Sequence, residues 1–133
     1  DEVHEPFGDV PAAMVDESDV GAVSAAVLTS AGHAGRAYAL TGPEPLTPRQ
    51  RLAALATATG RDLRFVELTE EQARERWRAQ GMAPDMVDLL ANWQGHPPPH
   101  AYTVTGAVHD LLGREPRSLA RWAADHADEF RRE

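Results

Sequence analysis

The sequence contains no cysteine and no lysine; all 13 of its basic residues are arginine. The first absence removes disulfides, thiolate nucleophiles and Cys-based zinc sites. It fits a cytoplasmic protein, a compartment where disulfides are rare. The second removes any Schiff base and any lysine acid or base, and such arginine usage suits GC-rich, actinobacterial-like coding. Basic charge is also in deficit, with 21 acidic residues and a net charge of −8. That balance argues against the clustered cationic surface needed to hold nucleic-acid phosphates; its simplest reading is solubility. No apolar run reaches the ~20 residues of a membrane span, and no signal-peptide pattern appears. No strand is followed by Gly-x-Gly-x-x-Gly or Gly-x-x-Gly-x-x-Gly, so nothing offers a pyrophosphate cradle at a helix N-terminus. No Gly-x-Ser-x-Gly elbow supports a serine hydrolase. The chain opens on Asp1 rather than Met, as expected of a processed, trimmed or partial polypeptide.

What is present describes one globular α/β domain over 133 residues, with 42% apolar and 26% charged side chains and room for a real core. Residues 1–11 are polar, carry two prolines and read as a loop. From 12 to 68 the pattern is strand, helix, strand, helix, strand; from 69 to 133 it is helical. Ala12–Val15 is a short apolar run suited to a buried strand. Asp16 caps the following helix, with Asp19 three residues on in a capping-box-like arrangement, and Val20, Val23, Ala26 and Val27 form its buried face. Gly32 and Gly35 end that helix. Arg36–Thr41 alternates as a strand and Gly42-Pro43 breaks it. Thr47-Pro48-Arg49-Gln50 is a strong helix start, with Gly60 at its close. Leu63–Leu68 is a strand, and Thr69 with Gln72 opens a charged helix running to about Gln80.

A helix from Pro84 places Met86, Val87, Leu90 and Trp93 on roughly one face, and Gly95–His100, with three prolines, must be loop. Thr105 caps a short helix carrying Val108, Leu111 and Leu112, and Ser118 caps a last helix running through Trp122 and His126 to Phe130. Asp16 and Asp19 have the spacing of an acid/base carboxylate pair, but equally of acids favoured at a helix N-terminus, and the second reading is preferred. His96 and His100 lack a third ligand at a recognised spacing, although Asp85, Asp88 and Asp110 are available, so no metal is expected. His33, His109 and His126 read as structural or solvated. Met82, Met86, Leu90 and Trp93 read first as ordinary core.

Four segments in order carry a resemblance: Met14–Val20 (MVDESDV), His33–Glu44 with Leu46-Thr47 following, Leu63–Glu67 before a Thr-capped helix, and Thr105–Phe130 with its Leu112–Pro116 and Trp122–His126 pieces. Together they resemble the C-terminal half of the NmrA-like, atypical short-chain dehydrogenase/reductase family of NAD(P)-binding proteins. The resemblance implies a helix-rich C-terminal lobe of a Rossmann-type α/β fold, with two or three short strands and without the nucleotide-binding half. It implies a substrate-binding lobe of an NAD(P)-dependent oxidoreductase acting on a small carbonyl or quinone-type molecule. The alternatives are an NAD(P)-linked redox sensor that regulates a partner, and a truncated cofactor-free isomerase, cyclase or binding module. The family cofactor would be NAD(P), not expected to bind this chain alone. The Tyr-x-x-x-Lys pair of typical members is impossible without lysine.

Family members close the substrate site with helices of this lobe. By that likeness Met82, Met86, Leu90 and Trp93, with His96 at the polar end, become pocket-wall residues. The loop that faces cofactor and substrate corresponds to His4–Asp9, making Phe7 a substrate contact and His4 a proton donor or acceptor. The partners so implied are a small-molecule substrate, a nucleotide-binding half or partner subunit, and no nucleic acid or membrane. Strands that dock on a larger sheet in the parent fold would leave open edges here, so a homodimer or strand-swapped assembly is expected.

Overall fold

The computed structural model describes residues 1–130. In chain order its elements are β1 (Glu2–Pro6), α1 (Glu17–Thr29), α2 (Pro48–Thr59), β2 (Arg64–Leu68), α3 (Glu70–Ala79), α4 (Pro84–Gly95), α5 (Ala107–Leu112) and α6 (Leu119–Asp125). Short 3-10 turns lie at Pro99–Ala101 and Ala127–Phe130. The fold is a helix-rich α/β arrangement: β1 and β2 form a two-stranded parallel sheet, Glu2 opposite Arg64 and Pro6 opposite Leu68. Helix α1 packs on α5, α2 on α6, and α3 on α4.

Local chemistry sets most boundaries. Thr47 and Thr69 each accept a hydrogen bond from the N–H three residues on, while Gln50 and Gln72 accept from the threonine N–H groups, closing two complete capping boxes. Gly60 and Gly113 end α2 and α5 in the left-handed conformation, where a side chain would be strained. Asp16 caps α1 through Ser18, and Ser118 caps α6 through the Arg121 N–H. The best-defined core lies between α3 and α4, where Ala73, Trp77, Val87 and Ala91 are buried and Leu68, Met82 and Leu90 close around them.

Several expectations give way. Residues 1–11 are not all loop. Glu2–Pro6 is a strand despite its polar side chains, because backbone pairing with β2 and ion pairs such as Glu2–Arg64 hold it rather than burial. Ala12–Val15 forms no strand among the described residues; Ala12 alone makes a bridge there, with Leu46. Arg36–Thr41 forms no strand among the described residues; it is tethered instead by Thr105, whose hydroxyl donates to Ala39 O at 2.6 Å and whose N–H donates to Thr41 Oγ1 at 3.0 Å. Thr105 is therefore spent on that clamp, and Gly106 occupies the start of α5 without a side-chain cap.

The α1 face is also rotated. Val20 is exposed while Asp19 is fully buried beside Val23. Asp19 completes no capping box: its carboxylate accepts the Arg117 N–H at 2.6 Å and lies 2.7 Å from Arg114 Nη2. The last helix stops at Asp125, because the His126 N–H is shared between Trp122 O and Ala124 O in a tightened turn.

Candidate functional site

Parallel strands tend to place ligands beyond their carboxyl ends, and a large cleft begins there. It is a cleft of about 800 Å³. Its walls are the end of β1 with the turn that follows, the first half of α2, the Trp93–Ala101 segment and the start of α6. Phe7, Leu52, Leu55, Phe65, Trp93 and Trp122 give it an apolar lining. Arg51, Arg117, Asp16 and Glu17 add a few charged groups, the usual makeup of a small-molecule site.

The turn after β1 is held unusually firmly. Phe7 has φ +55, a region a bulky side chain occupies only at a cost of about 1–3 kcal/mol and chiefly where function or the surroundings demand it. Its ring lies against Gly95 so closely that a Cβ there would sit 2.7 Å from the ring edge. The next residue, Gly8, donates its N–H to Glu67 Oε1 at 3.1 Å and accepts the Arg49 N–H at 3.3 Å. Arg49 pairs with both Asp9 and Glu67 and stacks 4.6 Å over the Phe65 ring. Phe7 is thus a fixed aromatic platform at the cleft, set by one glycine and one arginine.

At the α6 side, Trp122 stacks on His126 at 4.4 Å and donates its indole N–H to Glu17 at 3.2 Å. Asp16 beside it is nearly buried. One of its oxygens accepts from the Ser18 N–H and hydroxyl, and the other has no hydrogen-bond partner among the described residues. Burial works against the Asp16 carboxylate, but the Ser18 hydrogen bonds and the Arg117 charge outweigh it and hold its pKa below the ordinary value. On α2, burial pushes Arg51 below its usual range, with Glu5 acting in the opposite direction.

The residues expected to form a site separate in space. Phe7 and Trp93 meet at the cleft. Met82 and Leu90 pack instead against the α3–α4 core. Met86 is exposed on α4, and His96, also exposed, is not among the cleft walls. The reason is helical geometry: Val87 and Ala91 take the inward face of α4, and only its last turn reaches the cleft. His4 lies on β1, its ring 3.1 Å from Glu2 and its carbonyl accepting from Arg76 at 2.7 Å. It borders a shallower depression with Gln72 and Arg76, not the main cleft.

Arg51 and Arg117 did not stand out by sequence, Trp122 was read only as part of the last helix, and Asp16 was weighed as an acid/base carboxylate but preferred as a helix cap. A lone arginine on a helix reads as a solvent-facing charge, and only the later segments that fold over it make it a wall. Among the described residues no group of three or more His, Asp or Glu is arranged to hold a metal. The donor set also suits a pyrophosphate poorly: α1 begins with Asp16, Glu17 and Asp19, α3 with Glu70 and Glu71, and α2 is closed by its capping box. No helix is long and apolar enough to cross a membrane among the described residues.

No family model matches the chain. A (4-alkanoyl-5-oxo-2,5-dihydrofuran-3-yl)methyl phosphate reductase of Streptomyces griseus is 40% identical over 124 residues, covering 93% of this chain and 44% of that protein. Among solved structures, an NADPH-dependent quinone oxidoreductase of Escherichia coli in complex with NADPH aligns with a TM-score of 0.76 at 24% identity, over 93% of this chain and 44% of that one. NmrA, a negative transcriptional regulator in complex with NAD, aligns with a TM-score of 0.65 at 22% identity, over 97% and 44%. The chain therefore spans under half the length of the proteins it matches.

Proposed function

This chain corresponds to the C-terminal half of an NmrA-like, atypical short-chain dehydrogenase/reductase fold, and from that premise we propose that it forms the acceptor-binding side of an NAD(P)H-dependent oxidoreductase. The acceptor is a small carbonyl or quinone-type molecule. The observation that supports this reading is the apolar cleft beyond the end of β1, walled by Phe7 and Trp93 from two separate elements. Its size suits a flat molecule of one or two rings, and its walls exclude water from most of the bound surface. Hydride chemistry belongs to the cofactor, and the residues described here contribute binding and orientation. Phe7 supplies a rigid face, and Trp93 and Trp122 supply the facing edges. The nucleotide would be held by a complementary half, in the same polypeptide or in a partner subunit.

Trp93 and Trp122 provide a direct readout, since both line the cleft while Trp77 is buried in the α3–α4 core. Menadione, a neutral naphthoquinone, should quench the tryptophan fluorescence of the chain saturably and without added nucleotide. Phe7→Ala should weaken that binding by about 10-fold, the loss of an aromatic contact face. Quenching that rises linearly with menadione, with no saturation and no effect of Phe7→Ala, would remove the cleft from consideration. With a complementary nucleotide-binding half present, NAD(P)H consumption dependent on the quinone supports the reductase. Tight dinucleotide binding without turnover would favour redox sensing instead.

A further inference from the structure

Arg51 is the one charged side chain on the α2 wall of the cleft whose own partners do not explain its position. Two residues earlier on the same helix, Arg49 is held by Asp9 and Glu67. Across the cleft, Arg117 uses its N–H on Asp19 and places its guanidinium 3.8 Å from Asp125. Arg51 has neither kind of contact: no carboxylate pairs with it among the described residues, and its Nη1 faces the Met14 sulfur at 2.7 Å. A thioether is a weak acceptor and leaves most of the guanidinium donors unspent. The residue is partly buried and lines the cleft with Leu52, Leu55 and Phe65. Partial burial of a cation without an anion is costly, and folded proteins normally arrange a partner.

The acids nearby do not fill that role. Asp16 is engaged by Ser18 and Glu17 by Trp122, while Glu5 influences Arg51 only through space.

We propose that Arg51 anchors an oxyanion carried by the ligand, a carboxylate or a phosphate monoester, and so orients an otherwise apolar molecule along Phe7 and Trp93. This rests on the cleft being the acceptor site. The planar guanidinium can meet either oxyanion with two parallel hydrogen bonds. Glu5 then acts as a competitor: it partly satisfies the cation when the cleft is empty and repels a bound anion.

The test is binding of three matched probes, 2-naphthyl phosphate, 2-naphthoate and neutral 2-naphthol, read by tryptophan quenching. The expected result is at least about 10-fold tighter binding of one or both anions than of naphthol, as a charge-assisted hydrogen bond gives. Arg51→Met keeps an apolar stem against an apolar wall and should erase the preference, the anions falling to the affinity that naphthol shows for the same variant. Arg51→Lys should retain part of it, Glu5→Gln should increase it, and added salt should weaken the anions alone. Whichever anion binds more tightly identifies the oxyanion. Equal binding of all three probes, or a preference that survives Arg51→Met, overturns the anchor but leaves the cleft as the acceptor site. Failure of every probe, naphthol included, overturns both.

Discussion

Replacing Asp19 or Arg114 should destabilise the chain unequally, and the order follows from their burial. Asp19 is 0% exposed and Arg114 is 46% exposed. Asp19→Ala removes a charge-assisted hydrogen bond to the Arg117 N–H, worth about 1.5–3 kcal/mol, and leaves an arginine that can turn into water. Arg114→Ala leaves a carboxylate that cannot turn anywhere, with the Arg117 N–H as its remaining donor. Breaking a buried pair in that direction costs about 3–5 kcal/mol. In urea, with a slope near 1.5 kcal/mol/M, these losses lower the midpoint by roughly 1–2 M and 2–3 M respectively. The double variant should lose less than the sum of the two, with a coupling of about 1–2 kcal/mol, because the second change no longer strands a partner. Single variants within about 0.5 kcal/mol of the parent, or strict additivity, would show that the Asp19 cluster carries no structural weight and that this burial argument is wrong.

Gly42→Ala should destabilise strongly, because a Cβ there would meet Met14 O at 2.2 Å, a backbone atom that cannot step aside. Gly21→Ala, in the middle of α1 with open space around it, should instead stabilise by about 0.5–1 kcal/mol through helix propensity; thermal melts of the pair check both signs. The depressed folded pKa of Asp16 makes its stabilising contribution complete above the unfolded value of about 3.9 and lost as pH falls through the lower folded value. Asp16→Asn should therefore narrow its deficit relative to the parent in acid unfolding curves, and a deficit independent of pH would contradict the assignment. The exposed apolar side chains Met86, Leu89 and Trp93 on α4 predict concentration-dependent self-association of the isolated chain; sedimentation as a monomer at all concentrations would count against it.

Features decided within a few residues were legible in the sequence. The Thr47–Gln50 and Thr69–Gln72 boxes need only the local chain, and Gly60 and Gly113 mark helix ends for a steric reason that holds anywhere. The helix-rich α/β class and the family likeness followed from such segments in order. Features decided by distant residues were hidden. Glu2–Pro6 has no apolar alternation because its partner β2 stabilises it through the backbone, and Arg36–Thr41 alternates yet has no strand beside it among the described residues. Asp19 looked like a cap because its true partners, Arg114 and Arg117, lie near the other end of the chain. The candidate site divided in the same way. Phe7 and Trp93 were named, but Arg51 and Trp122 acquire a role only when α2 and α6 face the turn after β1.

Pairing of residues far apart along the chain has a consequence for synthesis. Strand β1 pairs with a strand about sixty residues on, Glu2 opposite Arg64 and Pro6 opposite Leu68. β1 therefore leaves the ribosome well before β2 exists, by several seconds at roughly 5–20 residues per second. Helix α1 waits longer still, because the Arg117 N–H that Asp19 accepts is 98 residues away. During that interval β1 lacks β2 and Asp19 lacks the Arg117 N–H, so these contacts wait on long-range closure rather than on helix formation. A ribosome stalled before α6 should display a protease-sensitive nascent chain with no organised cleft.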